Sequence, residues 1–232
     1  TLLGSALSVR ATVPVELRAQ GDAVLTTGRD LALFTGEQTE TYRRALPLHP
    51  TTAAVLPNVF RSALAQNERS LFGFLAAQYD HGFSGFLAQT EARAGAGALY
   101  RIDRLHDHLK ETMGPALLAV SDSKRWAEIE HALERVPRGA APLAPRVVKA
   151  VGMLTLFGTP EVRGSREALA YALEDRAEPS PELAATVELL DTPGLMPGSH
   201  GDNPQRLALI REGDALLIVL GIALLVWAYV RA

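Results

Sequence analysis

Apolar residues recur at every third or fourth position through much of the chain, the spacing that gathers them on one face of an α-helix. The pattern predicts four well-defined helices, over residues 57–78, 99–111, 124–135 and 145–157. We therefore expect a mainly α fold whose core is built from the apolar faces of these helices. The residues that the spacing turns inward are Phe60, Leu64, Leu71, Phe74, Leu75, Ile102, Leu105, Leu109, Trp126, Ile129, Leu133, Val147, Val148, Val151 and Leu154.

Capping residues mark where further helices begin and end. Ser165 is placed to cap a helix over 166–173, and Ser180 followed by Pro181 is a typical start for a helix over 182–190. Gly158 follows the fourth helix, at the position where a glycine commonly ends a helix in the left-handed conformation. These signals add two short helices to the C-terminal half.

The beginning of the chain has a different pattern. Between residues 6 and 17 apolar residues occupy alternate positions, which is typical of a strand, and Pro14 restricts it to an edge strand or an extended segment. We expect residues 1–45 to form an extended or irregular N-terminal segment. The Pro-, Gly- and Ala-rich stretch 136–145 is the strongest domain boundary, between units at 46–136 and 145–190, with 191–232 as a tail.

Composition narrows the classes of function. With 47% apolar residues the chain can bury a core, and with no cysteine it has no disulfides, thiolate metal sites or cysteine nucleophiles. The net charge is −3 and the basic residues are scattered, so nucleic-acid binding has no support from charge. The start at Thr1 suggests a processed or truncated product, and the lack of a signal-peptide pattern favours a cytoplasmic setting.

Nucleotide hydrolysis by this chain alone is not expected. A phosphate-binding loop ends in Gly-Lys-Ser/Thr, because backbone N–H groups and one ammonium group must cradle the phosphates. The chain has three lysines, Lys110, Lys124 and Lys149, and none of them follows a glycine. We therefore expect no cofactor in this chain and no enzymatic activity of its own.

Four segments carry a family resemblance: LPLHPTTAAVLPNVFRSALAQNERSLFGFL (46–75), RIDRLHDHL (101–109), KRWAEIEHALERV (124–136) and APRVVKAVGMLTLFG (144–158). In this order they resemble the region after the nucleotide-binding core in large bacterial P-loop ATPases of the AAA+ or a related type, several of which sit among phage-defence genes. The resemblance implies a helical lid at 46–136, a winged-helix unit at 145–190, and ATP with Mg²⁺ in a complete parent protein. The implied partners are other domains or subunits of that protein.

The motif Gln-Asn-Glu-Arg-Ser at 66–70 is the most specific part of the resemblance. By that resemblance, Arg69 would reach a nucleotide phosphate or a neighbouring subunit. The alternative is a solvated pair of Arg69 with Glu68. Asn67 lies on the apolar stripe of the helix, so its side chain should be hydrogen-bonded inside the core. His49, between a leucine and a proline, is expected to be a packed histidine in a turn.

A second resemblance points elsewhere. Residues 186–220, beginning TVELLDTPGL, resemble the switch II region of Obg/DRG-like GTPases. It implies a strand at 187–190, Asp191 holding Mg²⁺ through water, and the Gly194 N–H meeting the γ-phosphate of GTP. The Asn-Lys-x-Asp motif that reads guanine is missing, because no lysine follows an asparagine. The ATPase resemblance makes 187–190 helical, so the two assign opposite conformations to the same residues.

Residues 215–230 form an uninterrupted run of 16 non-polar residues. As a helix the run would be about 24 Å long, against about 30 Å for a bilayer core. Trp227 and Tyr229 suit a membrane interface, but Glu212 and Asp214 precede the run where a positive-inside signal would need basic residues. We favour a buried segment whose first half, 215–220, is a strand or core segment, with a membrane anchor as the alternative.

Two carboxylate–histidine pairs, Asp103/His106 and Glu128/His131, have the i,i+3 spacing that places both side chains on one helix face. Two such helices can hold a di-metal centre when two more carboxylates join them. The additional carboxylates have no evident candidates, and both histidines have charged neighbours typical of a solvated face. We therefore expect no metal site.

The function expected from these patterns is that of a non-catalytic regulatory or interaction portion of a P-loop ATPase. The predicted helix at 182–190 contains no arginine or lysine, so a protein partner is favoured over DNA. Two alternatives stay open: a fragment of an Obg/DRG-like GTPase, and a tail-anchored helical adaptor.

Overall fold

The computed structural model describes residues 15–63, 67–92, 99–117, 123–136 and 141–191, and these ranges contain ten α-helices and no strand. The mainly α fold is therefore confirmed. In chain order the helices are α1 (Val15–Asp30), α2 (Gly36–Ala45), α3 (Pro50–Ala63), α4 (Asn67–Ala76), α5 (Phe83–Ala92), α6 (Ile102–Leu117), α7 (Ser123–Arg135), α8 (Leu143–Phe157), α9 (Arg166–Glu174) and α10 (Pro181–Asp191).

Helix α8 lies at the centre of the molecule and contacts α3, α6, α7, α9 and α10. A helix with this many neighbours must be apolar on nearly every side, and ten of its fifteen residues are buried. Gly152 lets α7 come close, because a Cβ atom at this position would lie 2.6 Å from Ile129 Cδ1. The buried apolar side chains of all these helices form one connected core.

The predicted inward-facing residues of α6, α7 and α8 are confirmed. Ile102, Leu105 and Leu109 are fully buried, and Trp126 is 4% exposed. Leu133 is partly buried and packs against the same core. Residues on both sides of the stretch 136–145 thus belong to one core, although that stretch has the composition of a linker.

Local capping explains several helix starts. Ser165 Oγ accepts a hydrogen bond from the Ala168 N–H at 3.1 Å, and Ser180 Oγ accepts one from the Leu183 N–H at 3.1 Å, so both predicted caps are confirmed. Gly158 follows α8 as expected, but its backbone is extended and not left-handed. A glycine is needed there because a Cβ would lie 2.2 Å from the carbonyl oxygen of Leu154.

The single helix expected over 57–78 is wrong in its bounds. Helix α3 begins earlier, at Pro50, where a missing N–H costs nothing because the first turn of a helix has no partner for it. Pro57 lies inside α3, and its side chain faces solvent. Helix α4 covers the second part of the predicted segment, and residues 77–78 are not helical.

Residues 15–45 also differ from the extended or irregular segment expected at 1–45. They form α1 and α2, and α2 is fixed at its start by a capping box in which Thr35 and Gln38 exchange hydrogen bonds. Val15 and Leu17, read as part of a period-two pattern, lie in α1. Residues 6–14 lie outside the described residues. Helix α5 is a further element that the apolar spacing did not predict.

Of the two conformations left open for residues 187–190, the structure shows the helical one, within α10. Leu183, Val187 and Leu190 form its buried face, and Leu189 is exposed. Among the described helices none is both long and apolar enough to cross a membrane. The apolar run 215–230 lies outside the described residues.

Candidate functional site

The polar residues of the core are brought together by two chain segments that precede helices. Leu48, before α3, forms a parallel bridge with Tyr100, before α6. The His49 N–H donates to the Tyr100 carbonyl oxygen at 3.0 Å, and the Tyr100 N–H donates to the Pro47 carbonyl oxygen at 2.8 Å. This pairing places His49 and Arg101 side by side at the N-terminal ends of α3 and α6.

His49 is fully buried, and both of its ring nitrogens face protein atoms. Nδ1 accepts a hydrogen bond from the Thr51 N–H at 3.2 Å and lies 2.7 Å from Thr51 Oγ1. Nε2 lies 3.2 Å from Oδ1 of Asp175. Because Nδ1 accepts from a backbone N–H, the ring proton must be on Nε2, the nitrogen that lies beside the carboxylate. The expectation of a packed turn histidine is confirmed.

Asp175 holds the other side of this group, which we call the His49 cluster (His49, Thr51, Arg101 and Asp175). It caps α9 with φ at 61°, in the left-handed region that Asp tolerates better than most residues. Arg101 donates to both carboxylate oxygens of Asp175, at 2.9 and 2.7 Å, and also to the Ala172 carbonyl oxygen at 3.0 Å. This bidentate geometry is among the strongest that protein side chains form.

The cluster sets the charge states of its members. Burial lowers the pKa of His49 to about 4, because the charged imidazolium is disfavoured away from water. The contact with Asp175 acts in the opposite direction but is the smaller effect. Burial alone would raise the pKa of Asp175, but the hydrogen bonds from His49 and Arg101 and the charge of Arg101 hold that pKa well below its usual range. At neutral pH the cluster therefore contains a neutral imidazole beside an ion pair.

A second buried histidine joins α6 to α7. His106 is fully buried, with Nδ1 3.3 Å from Oδ1 of Asp107 and Nε2 3.1 Å from Oε1 of Glu130. Its ring is stacked on Trp126 with centroids 4.8 Å apart and planes 12° from parallel. Lys110 completes the group through Glu130, at 2.5 Å. We call the group of His106, Asp107, Lys110, Trp126 and Glu130 the His106 cluster.

Two ion pairs extend this cluster across to α8. Asp103 accepts from Arg146 Nε at 2.7 Å, and Asp107 lies 2.6 Å from Lys149 Nζ. Burial by itself would raise the pKa of Asp107, but the hydrogen bonds from His106 and Lys149 lower it. The acids are one turn apart on α6 and the bases one turn apart on α8, so the pairs fix these helices in a parallel register.

A third buried histidine lies among aromatic rings. His108 is hydrogen-bonded through Nδ1 to the Tyr79 hydroxyl at 2.7 Å, and the two rings are stacked. Phe74 contacts the same imidazole edge to face, with centroids 4.9 Å apart. Burial, together with the charge of His81, lowers the pKa of His108 to about 4. His108 thus packs between Phe74 and Tyr79 in the aromatic part of the core.

These arrangements can hold helices together, and their groups are turned towards each other and not towards a cavity. The His49 cluster joins α3, α6 and α9, and the His106 cluster with its ion pairs joins α6, α7 and α8. Among the described residues, no group of three or more His, Asp or Glu is arranged to hold a metal ion.

The nucleotide contacts expected of Arg69, Asp191 and Gly194 stay predictions. Arg69 lies in α4 and Asp191 is the last residue of α10, and the side chains of both lie outside what the structure describes. Gly194 lies outside the described residues altogether. The Asn67 side chain likewise lies outside them, so its expected hydrogen bonds stay a prediction.

The two predicted carboxylate–histidine pairs, Asp103/His106 and Glu128/His131, differ in the burial of their histidines. His131 is exposed, as a solvated face requires. His106 is fully buried, so the expectation of a solvated position is wrong for this residue. Its partner across the helices is Glu130, two residues after Glu128. The Trp126 ring covers His106 on one face, and a tryptophan one turn before Glu130 is the only local hint of this burial.

The Arg101–Asp175 pair was not anticipated, and no local signal could have indicated it. The two residues are 74 positions apart, and their meeting depends on how α9 packs near the start of α6. Asp103, Asp107, Arg146 and Lys149 did carry a signal. They are charged residues at one-turn spacing and opposite in sign, and Arg146 and Lys149 are the only charged residues of the otherwise apolar α8.

Comparison of the chain with protein-family models, with curated proteins and with solved structures gave no match.

Proposed function

We propose that this chain is a non-catalytic helical interaction module of a P-loop ATPase, acting through contacts with other domains or subunits of that protein. The observation that carries the proposal is the enclosure of the two histidine–carboxylate clusters. The ring nitrogens of His49 and His106 face groups of the same chain. A general acid or base must lie within hydrogen-bonding reach of a substrate, and these two imidazoles are already surrounded.

The cations support the same proposal. Arg101, Lys110 and Lys149 each pair with an acid that also contacts a buried histidine, and Arg146 pairs with Asp103. A nucleotide phosphate would have to displace those acids. The positive charge in this part of the fold therefore serves to neutralise carboxylates between helices, which supports a structural role for it.

The parent class rests on the resemblance of residues 46–75, 101–109, 124–136 and 144–158 to P-loop ATPases. In the structure these segments fall on α3, α4, α6, α7 and α8, and α8 contacts α3, α6 and α7. A part of the sequence that resembles one family thus lies within one packed unit. That is what a module with a common ancestry would show.

Within this module, we propose that residues 145–190 form a winged-helix unit. Helices α8, α9 and α10 would be its three-helix core, since α8 contacts both of the others. A recognition helix for DNA presents basic residues to phosphates and base edges. Helix α10 instead exposes Glu182 and Glu188, so we propose a protein surface as its partner.

The absence of catalysis is tested on the chain itself. Titration calorimetry with ATP and with GTP, each with Mg²⁺, should show no binding, because no lysine follows a glycine and the nearby cations are paired. A micromolar affinity that persists in Asp191→Ala would contradict the proposal, since it would require a phosphate site that we have not identified.

The ATPase parentage is tested by the coding DNA. A Gly-Lys-Ser/Thr loop should be encoded upstream in the same frame, and a frame without one contradicts the proposal.

In the longer protein, Arg69→Ala should lower the ATPase rate by about tenfold or more, since an arginine that reaches the phosphates stabilises the charge of the transition state. Arg61→Ala, on the exposed side of α3, is the matched control and should leave the rate unchanged.

A further inference from the structure

Both nitrogens of the His106 ring face carboxylate oxygens. Nδ1 lies 3.3 Å from Oδ1 of Asp107 on α6, and Nε2 lies 3.1 Å from Oε1 of Glu130 on α7. An ionised carboxylate accepts hydrogen bonds and donates none, so each contact favours a proton on the ring nitrogen. A neutral imidazole carries one such proton and suits one of the two acids, whereas an imidazolium carries two and suits both.

Both of these acids are paired with lysines, which favour the ionised form of a carboxylate. Lys149 of α8 lies 2.6 Å from Oδ1 of Asp107, and Lys110 of α6 lies 2.5 Å from Oε2 of Glu130. Burial by itself would raise the pKa of Asp107, but hydrogen bonds from His106 and Lys149 lower it. An imidazolium between the two acids would therefore complete a row of alternating charges that runs from Lys149 to Lys110.

Burial opposes a charge on this ring, because His106 is fully enclosed. The Trp126 ring, stacked on the imidazole with centroids 4.8 Å apart, compensates in part, since an aromatic face attracts a cation. His49 is buried to the same degree, but its Nδ1 faces the Thr51 N–H, so that nitrogen must stay without a proton. The arrangement of donors and acceptors, and not burial, thus distinguishes His106 from His49.

Helix α7 meets its two neighbours through different residues. Ile129 packs against Gly152 of α8, whereas Trp126 and Glu130 meet His106 of α6. Loss of either ring proton would leave a nitrogen lone pair within 3.3 Å of an ionised oxygen, a contact that repels. The proton count of His106 therefore bears directly on how firmly α7 is held to α6.

We propose that the contact of α6 with α7 at His106 is a pH-sensitive switch, closed while the ring carries two protons and loosened when one is lost at higher pH. Loosening would uncover the face of α7 that includes Ile129 and Ala132, both buried in the closed form. This inference does not depend on the ATPase parentage. The charge of the ring is set against four neighbours and one ion pair a turn away: Asp107 and Lys110 of α6, Glu130 of α7, Lys149 of α8, and Asp103 with Arg146.

Hydrogen exchange of the full chain tests the switch between about pH 5.5 and pH 8.5, the range in which histidines usually titrate. Protection factors of the α7 amides should fall as the pH rises, by up to about tenfold per pH unit, because opening releases one proton. In Glu130→Gln one acid is gone and the new amide can donate to a neutral ring, so protection should no longer depend on pH. Lys110 is 56% exposed, so the loss of its partner costs little. Glu134→Gln removes the same charge at an exposed position of α7 and should leave the pH dependence unchanged.

Nitrogen-15 NMR of the imidazole rings reads the charge of His106 itself, because the imidazolium and the two neutral tautomers give different pairs of shifts. We expect two protonated nitrogens wherever α7 is fully protected, and the loss of one proton over the pH range in which protection falls. A neutral ring in the fully protected form would overturn the switch, and so would α7 protection that does not change with pH. If Glu130→Gln does not fold, these two measurements on the unaltered chain still decide. If it folds and keeps the pH dependence, His106 is not the group responsible.

Discussion

The backbone N–H of Thr51 donates to Nδ1 of His49 at 3.2 Å, so the one ring nitrogen that could accept a further proton faces a donor. If His49 were protonated, its Nδ1–H would point at the N–H of Thr51, and the two donors would repel each other. Together with complete burial, this contact explains why the pKa of His49 is lowered to about 4. The fold therefore requires a neutral imidazole at this position.

Acid should destabilise the protein between about pH 6.5 and pH 4. In this window the unfolded histidines bind protons that the folded His49 and His108, with pKa values of about 4, do not. The free energy of unfolding should fall by ~1.4 kcal/mol per pH unit for each histidine as the pH decreases. Asp175 adds to this loss only as the pH falls to the ordinary Asp pKa of about 4, where the unfolded carboxylate begins to bind protons that the folded one, with its lowered pKa, does not. Glu128, whose pKa burial raises, acts in the opposite direction.

Urea unfolding at several pH values between 4.5 and 7 measures this slope. His49→Gln retains an amide donor for Asp175 and should reduce the slope by about one proton. His131→Gln, at an exposed position, is the control and should leave it unchanged. An unaltered slope in His49→Gln would mean that another group is responsible for the acid sensitivity.

Loss of the Asp175 charge should destabilise the fold. Asp175→Asn leaves Arg101 partly buried without its carboxylate, which should cost about 1.5–3 kcal/mol, the range for hydrogen bonds to charged groups. Asp22→Asn removes one of the two acidic partners of Arg43, in a pair whose side chains are both about half exposed, and should cost less than about 1 kcal/mol. Similar losses in the two variants, measured by urea unfolding, would show that Asp175 is not a structural anchor.

The close approach of α7 and α8 should be sensitive to one methyl group. Gly152→Ala places a Cβ 2.6 Å from Ile129, whose side chain is fully buried and has little room to move. We expect a loss of about 1–3 kcal/mol. Gly73→Ala, within α4 with no atom near its Cβ position, should instead stabilise by about 0.5–1 kcal/mol. If the melting temperature of Gly152→Ala were no lower than that of Gly73→Ala, the close packing of α7 on α8 at Gly152 would be contradicted.

Trp126 should contribute to stability both as core and as the cover of His106. Trp126→Ala should cost about 3–5 kcal/mol, because a large buried ring is replaced by a cavity. Trp126→Phe keeps an aromatic face against the imidazole and should cost less. Leu189→Ala, at a position 45% exposed on α10, is the surface control. A loss below about 1 kcal/mol for Trp126→Ala would place its ring outside the core.

The sequence was sufficient to predict elements whose apolar spacing and caps agree. Helices α7 and α8 were predicted to within two residues, and Ser165 and Ser180 were recognised as caps because their contacts lie within three residues along the chain. Helix α3 was misjudged because Pro57 was taken as a start. The start at Pro50 depends on the pairing of Leu48 with Tyr100, which no local pattern reveals.

The polar core could be predicted only in part for a related reason. His49 was expected to be packed because two apolar neighbours and a proline surround it in sequence. Its partner Asp175 comes from another helix, and so the identity of the contact depends on tertiary packing. His106 was misjudged because its immediate neighbours are charged, although those charges are themselves paired with Lys149 and Glu130. Local charge density is a poor guide to exposure when an opposite charge lies on another helix.

The hydroxyl of Tyr171 donates to the carbonyl oxygen of Val24, and 147 residues separate the two. During synthesis at about 5–20 residues per second, α1 would leave the ribosome roughly 7 to 30 s before the residue that completes its packing. Until then Val24 and Leu25, both nearly inaccessible in the finished fold, could be covered only by the neighbouring helices α2 and α3. The packing of the first described helix is therefore completed late in synthesis, and slow codons ahead of residue 171 would lengthen that delay.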